Sequence, residues 1–221
     1  MIAQVHRLVE QLEDLHRGHR AAEQLVACGE GAVEPLRDYL INGRPSHIFQ
    51  PRQWAVQALA RLGAWTLLLE YLGLPKDIAD PVTRFGEEAV ENTAARALAD
   101  RQTEEVFQVL YRLAGQRLLP GVIEALGAFR RPETVALFIT ALGDDLCRAA
   151  AEQSLRRIGT AALPALRAAA RRGKGSRGRE TPTETLRRKS AARLLSELDR
   201  RQKGRAGRAS NDPLYKTPET G

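Results

Sequence analysis

The chain has 221 residues, 43% hydrophobic and 28% charged, which is enough apolar material for a folded core and too little length for several large domains. Aromatic residues make up 5%, two cysteines occur, and no apolar run approaches the roughly 20 residues that cross a bilayer, which excludes a disulfide scaffold and a transmembrane protein. The formal charge of +7 divides unevenly: residues 1–166 hold 18 basic and 21 acidic side chains, and residues 167–221 hold 16 and 6, so a mildly acidic body carries a strongly basic end.

In chain order, residues 1–12 mix Gln4, His6, Arg7, Glu10 and Gln11 with apolar residues, unlike the core of a secretory signal, and a reducing, cytoplasmic location is expected. Cys28 and Cys147 have no clustered partner and are expected as small buried side chains. Val5, Leu8, Val9, Leu12 and Leu15 form one helical stripe, and no later stretch alternates as a half-buried strand does, so the fold class predicted is all-α. Ala21, Leu25 and Gly29 then open a recurring pattern. Residues 51–63 repeat it with Arg52, Ala55, Leu59 and Gly63, and residues 145–159 give its clearest copy with Arg148, Ala151, Leu155 and Gly159. Weaker copies are anchored on Leu98, Leu126 and Leu194, giving anchor intervals of 34, 39, 28, 29 and 39 residues.

The pattern has a physical reading. A small residue four positions before a leucine shares its helical face, so a neighbouring helix can approach while the leucine fills the gap. The glycine four positions after the leucine ends the helix in a left-handed conformation. A second apolar helix follows, with Pro35 or Pro164 near its first turn. Such a pair cannot bury its own apolar face, and stacking neighbours completes the core. An α-solenoid of about five antiparallel helix pairs is therefore expected over residues 1–172. Two copies depart from the pattern: Gln102 and Arg130 replace the glycine, and Glu91 replaces the arginine, so those pairs are expected to turn differently.

Two inserts, residues 44–51 and 73–86, are expected as loops between repeats, exposing the apolar pairs Ile48 with Phe49 and Val82 with Phe85. They either contact a partner protein or fold back to cap a gap between repeats. Trp54 and Trp65 fall in one repeat, where core packing is expected. Further on, residues 173–180 form a Gly-rich basic linker. Thr181 to Glu184 reads as a capping box that starts a capping helix over residues 181–199, its apolar residues ending at Leu198. Residues 200–221 have the composition of a disordered basic tail. Arg171, Arg172, Lys174, Arg177, Arg179, Arg187, Arg188 and Lys189 are the candidate phosphate-binding residues, through which nucleic acid would be held without sequence preference. Tyr215 is the sole aromatic after Phe138, so bases have no stacking platform there.

The Asp-x-x-Arg-x-x-Ala-x-x-x-Leu-x-x-x-Gly run over residues 145–159 resembles HEAT repeats, in particular the short HEAT-like units of the phycobilisome-lyase type, and the resemblance covers roughly residues 21–198. It implies a HEAT-like superhelix. The family serves scaffolds, adaptors, lyases and DNA-repair glycosylases alike, so the function it implies is open among these.

Residues for catalysis are sparse. His16 and His19 have ligand spacing only if one helix runs through Gly18, and no histidine precedes a glutamate as in the His-Glu ligand pairs of HEAT-like di-iron hydroxylases. Neither a GxSxG elbow nor a glycine-rich phosphate loop occurs. No catalytic residue, cofactor or metal is assigned. The expectation is a non-enzymatic scaffold or adaptor for a protein partner, with nucleic-acid association through the basic end as the alternative and a lyase or glycosylase activity as a third.

Overall fold

Each of the six anchor leucines, Leu25, Leu59, Leu98, Leu126, Leu155 and Leu194, is fully buried, and the residue four positions before it (Ala21, Ala55, Ala94, Val122, Ala151 or Ser190) is buried with it. The computed structural model describes residues 2–171 and 180–210; among them all regular structure is helical and no strand occurs.

The chain divides into two compact units, the first ending at Phe129. The first contains α1 (Ile2–Gln11), α2 (Gly18–Ala27), α3 (Val33–Ile41), α4 (Gln50–Arg61), α5 (Trp65–Gly73), α6 (Pro81–Ala97), α7 (Glu104–Gln116) and α8 (Pro120–Phe129). Helices α2, α4, α6 and α8 pack one on the next, and α1, α3, α5 and α7 form a second such row. The first four anchors, Leu25, Leu59, Leu98 and Leu126, belong to the first row. The second unit contains α9 (Val135–Ala141), α10 (Arg148–Ile158), α11 (Leu163–Ala170) and α12 (Pro182–Ser210), with α10 and α11 each packed on α12 and α9 on α11. In both units the helices pack in sequential order, as a helical array does. No helix among the described residues is long and apolar enough to cross a membrane.

Local chemistry sets the ends of these elements. Val5, Leu8 and Leu12 are buried as their stripe requires, but Leu15 is exposed. The cause is the Asp14 carboxylate, which accepts from the His16 and Arg17 amides and turns the chain before α2 begins at Gly18. His16 therefore shares no helix with His19. Cys147 is buried and Cys28 half-buried.

The helix-ending glycines Gly29, Gly63 and Gly159 have φ of 67°, 75° and 71°. At Gly159, ψ is −128°, so the chain leaves α10 through a region open to glycine alone and not through the left-handed helical well. Arg130 takes the glycine's part after Leu126, with φ of 54°, and is the single non-glycine residue among those described with positive φ. The unit at Leu98 does turn differently: Arg101 donates its amide to the Leu98 carbonyl, and the Thr103 side chain caps α7.

Thr181 and Glu184 form the reciprocal capping box, Glu184 N–H to Thr181 Oγ1 at 3.2 Å and Thr181 N–H to Glu184 Oε2 at 2.8 Å. The helix they start continues to Ser210, past the Leu198 at which its apolar residues end. Arg200, Arg201, Gln202 and Lys203 favour helix and the Glu197–Arg201 ion pair at 2.8 Å spans the next turn, so the helix runs on through residues where a tail was expected from residue 200. Residues 173–179 of the linker and 211–221 of the tail lie outside the described residues.

Because open space surrounds Gly159, an added methyl group meets no neighbour and only the backbone cost remains. Gly159→Ala is expected to lower stability by about 1–3 kcal/mol, and Arg130→Gly to leave it unchanged or raise it by up to about 1 kcal/mol. Urea denaturation of the two variants checks the opposite signs.

Candidate functional site

Helix α6 begins where an insert loop was expected. The Asp80 carboxylate accepts from Thr83 N–H at 2.7 Å and Pro81 occupies the first turn, so residues 81–86 are helical and Val82 and Phe85 stand on the first turns of α6. Gly86 then abuts the other insert: a methyl group there would come within 2.5 Å of the Ser46 carbonyl oxygen. The two inserts meet at this contact. Ile48, Val82 and Phe85 are 40%, 62% and 61% exposed, whereas Phe49, expected exposed, is half-buried as the residue that leads into α4.

One turn further on, α6 places Glu87 and Glu91 in its buried stripe with Val90, Ala94 and Ala95. Residues four apart share a helical face, so both carboxylates enter the interior side by side. An unpaired buried charge costs several kcal/mol, and each carboxylate has its own cations.

Glu87 takes a two-pronged pair from Arg52, Nε to Oε2 and Nη2 to Oε1, both 3.2 Å, and a 2.6 Å hydrogen bond from the Tyr71 hydroxyl. The other Arg52 donors serve the end of α3: Nη2 reaches Leu40 O at 2.9 Å, and Nη1 reaches Tyr39 O at 3.3 Å and Gly43 O at 3.4 Å. Arg52 thus satisfies terminal carbonyls and opposes the negative end of that helix.

Glu91 stands at the position that corresponds to Arg52, with the opposite charge. Its Oε1 accepts from Lys76 Nζ at 2.9 Å and from Arg117 Nη2 at 2.8 Å. Lys76 also donates to Tyr71 O at 2.9 Å, near the end of α5, and lies 3.9 Å over the Tyr71 ring. The insert therefore folds back and supplies a cation for the end of α5, as Arg52 supplies one for α3. Beside the Glu87 end, Arg52, Tyr71, Lys76 and Ile78 line a cleft of about 250 Å³.

Electrostatics favour a structural role for these groups. Burial, reinforced by the Glu87 carboxylate, pushes the Tyr71 phenol well above its ordinary value, so it stays protonated and donates to Glu87. Burial lowers the Lys76 ammonium against the pull of Glu91. Its contacts with Tyr71 O, Glu91 and the Tyr71 ring already occupy it.

The basic candidates fall differently. Arg188 pairs with Glu180 at 2.9 Å, and elsewhere in the second unit Arg156 pairs with Glu197 at 3.0 Å, Arg167 with Asp199 at 3.3 Å, and Arg193 with Glu152. Arg187 has a buried Nε without a hydrogen-bond partner among the described residues. Arg171 follows α11 and Lys189 lies on α12, while Arg172, Lys174, Arg177 and Arg179 lie outside the described residues. The tryptophans are half-buried: Trp54 packs on Gly18 and edge-on to His19, and Trp65 carries the Arg101 guanidinium 4.3 Å from its ring centre.

Sequence reasoning flagged Glu91 as a departure but missed Glu87, Lys76 and Tyr71. Two glutamates four apart in an apolar helical stripe were the available signal. No family model matches the chain, and no curated protein matches it.

Glu87→Gln, which leaves Arg52 buried without its countercharge, is expected to cost about 3–5 kcal/mol in urea denaturation, and Lys76→Met, which leaves Glu91 its Arg117, distinctly less. The Tyr71 contribution has a defined sign. Its folded pKa is raised, so its stabilisation is complete below the ordinary tyrosine value of 10.0 and is lost as the unfolded chain ionises above it. Stability is expected to fall with pH above about 10, with a shallower fall in Tyr71→Phe, as measured by denaturation midpoints across that range.

Proposed function

We propose that the protein is a HEAT-type α-solenoid adaptor, built of about five helix pairs closed by α12, that binds a partner protein without a chemical step. The six recurrent buried anchors support the repeat reading, and the two rows of the first unit are the arrangement that stacked helix pairs produce.

The observation that carries the binding reading is the apolar surface at Ile48, Val82 and Phe85. Segments more than 30 residues apart in sequence come together at the Gly86–Ser46 contact, and an aromatic ring and two branched side chains remain exposed there. A ring on a fixed backbone loses little freedom on binding, and such residues act as anchors at interfaces. The matching surface is an apolar segment of another protein. The buried ion pairs of α6, one turn away, hold this surface in shape.

Both side chains are exposed, so Val82→Ser/Phe85→Ser is expected to shift stability by no more than about 0.5 kcal/mol per position. With a photo-crosslinker at residue 84, the intact surface is expected to capture one discrete partner, whose affinity falls about 30-fold or more in the double variant. Equal affinity in the variant removes this surface from the account.

A further inference from the structure

The insert that delivers Lys76 also forms one wall of a second cleft, of about 320 Å³, whose opposite wall is α7. Its polar lining is Lys76, Arg112, Gln116 and Arg117; Leu74 and Leu113 are among its apolar lining residues. Three cations line it and no carboxylate does. That concentration stands out in a body whose residues 1–166 carry a net charge of −3.

The charges are unevenly spent. Glu91, behind the cleft wall, offers one oxygen to both Lys76 and Arg117, so a single carboxylate faces two cations. Arg117 uses Nη2 in that pair, which leaves Nε and Nη1 without a protein acceptor among the described residues. Arg112 is exposed and has no hydrogen-bond or ion-pair partner among the described residues. Gln116 stands four residues beyond Arg112, on the same face of α7, and adds a carboxamide donor. With Glu91 subtracted from the three cations, two positive charges remain in excess.

A guanidinium presents paired N–H donors that match carboxylate and phosphate oxygens. The volume exceeds what a bare inorganic anion fills and lies at the lower end of small-molecule sites, and the apolar wall gives no partner to a purely charged ligand. We infer that this cleft binds a small organic anion, a carboxylate or phosphate monoester with a short apolar body. Its head is held by Arg112 and Arg117, and its body lies against Leu74 and Leu113. This site is separate from the Ile48–Val82–Phe85 surface and does not depend on it.

Calorimetric titration of the full chain at low ionic strength tests the assignment, with hexyl phosphate, hexanoate and inorganic phosphate as probes. At least one hexyl anion is expected to bind with Kd below about 1 mM, roughly tenfold or more tighter than inorganic phosphate. Arg112→Ala, which removes an exposed side chain and no internal contact, is expected to weaken that binding about tenfold or more. Arg20→Ala, an exposed arginine of α2, is expected to leave it unchanged, and Leu74→Ser to weaken hexyl phosphate but not inorganic phosphate. Absence of binding by both hexyl anions overturns the inference. So does unchanged affinity in Arg112→Ala, or equal affinity for inorganic and hexyl phosphate.

Discussion

Two carboxylates buried one helical turn apart on α6 impose the constraint around which much of the first unit is arranged. Neither can be left unpaired in an apolar stripe, so each draws charged groups from other elements. Glu87 fixes Arg52 of α4 and Tyr71 of α5; Glu91 fixes Lys76 of the insert and Arg117 after α7. The same cations serve the free carbonyls at the ends of α3 and α5, a second need inherent in any array of short helices. One set of polar contacts thus serves helix ends and buried charges together, with Glu91 Oε2 left without a hydrogen-bond partner among the described residues.

This arrangement explains why an irregularity in the repeat and an insertion in the chain occur side by side. Arg52 is both the cation that ends the preceding helix and the partner of Glu87. At the corresponding place in the following copy the charge is reversed, and Glu91 cannot donate to a carbonyl. Lys76, arriving from the insert, takes over that donation and is held there by Glu91. At the basic end of the chain, Arg167 and Arg193 pair with Asp199 and Glu152 within the second unit.

What could be read from the sequence was what depends on local geometry. The spacing from Ala to Leu to Gly is a property of one helix and its end, and it located the six buried anchors and the three positive-φ glycines. Thr181 and Glu184 were legible for the same reason. The extent of α12 was not, because the apolar residues stop at Leu198 while helix propensity and charge pairing continue. Residues 81–86 fall within the expected insert loop, although Asp80 before Pro81 is a helix start. The Glu87–Arg52 and Glu91–Lys76 pairs join residues 35 and 15 positions apart, and periodicity alone does not choose partners at such separations.

The inverted charge at Glu91 makes the units direction-dependent parts. If the segment around Arg52 were copied into the place of α6, an arginine would face Lys76 and Arg117 where a carboxylate now stands, gathering three cations in a buried position. A consensus sequence averaged over the copies would introduce the same conflict. Duplication and exchange of units, the ordinary way in which helical arrays lengthen, is therefore blocked at this point unless the insert changes with the helix.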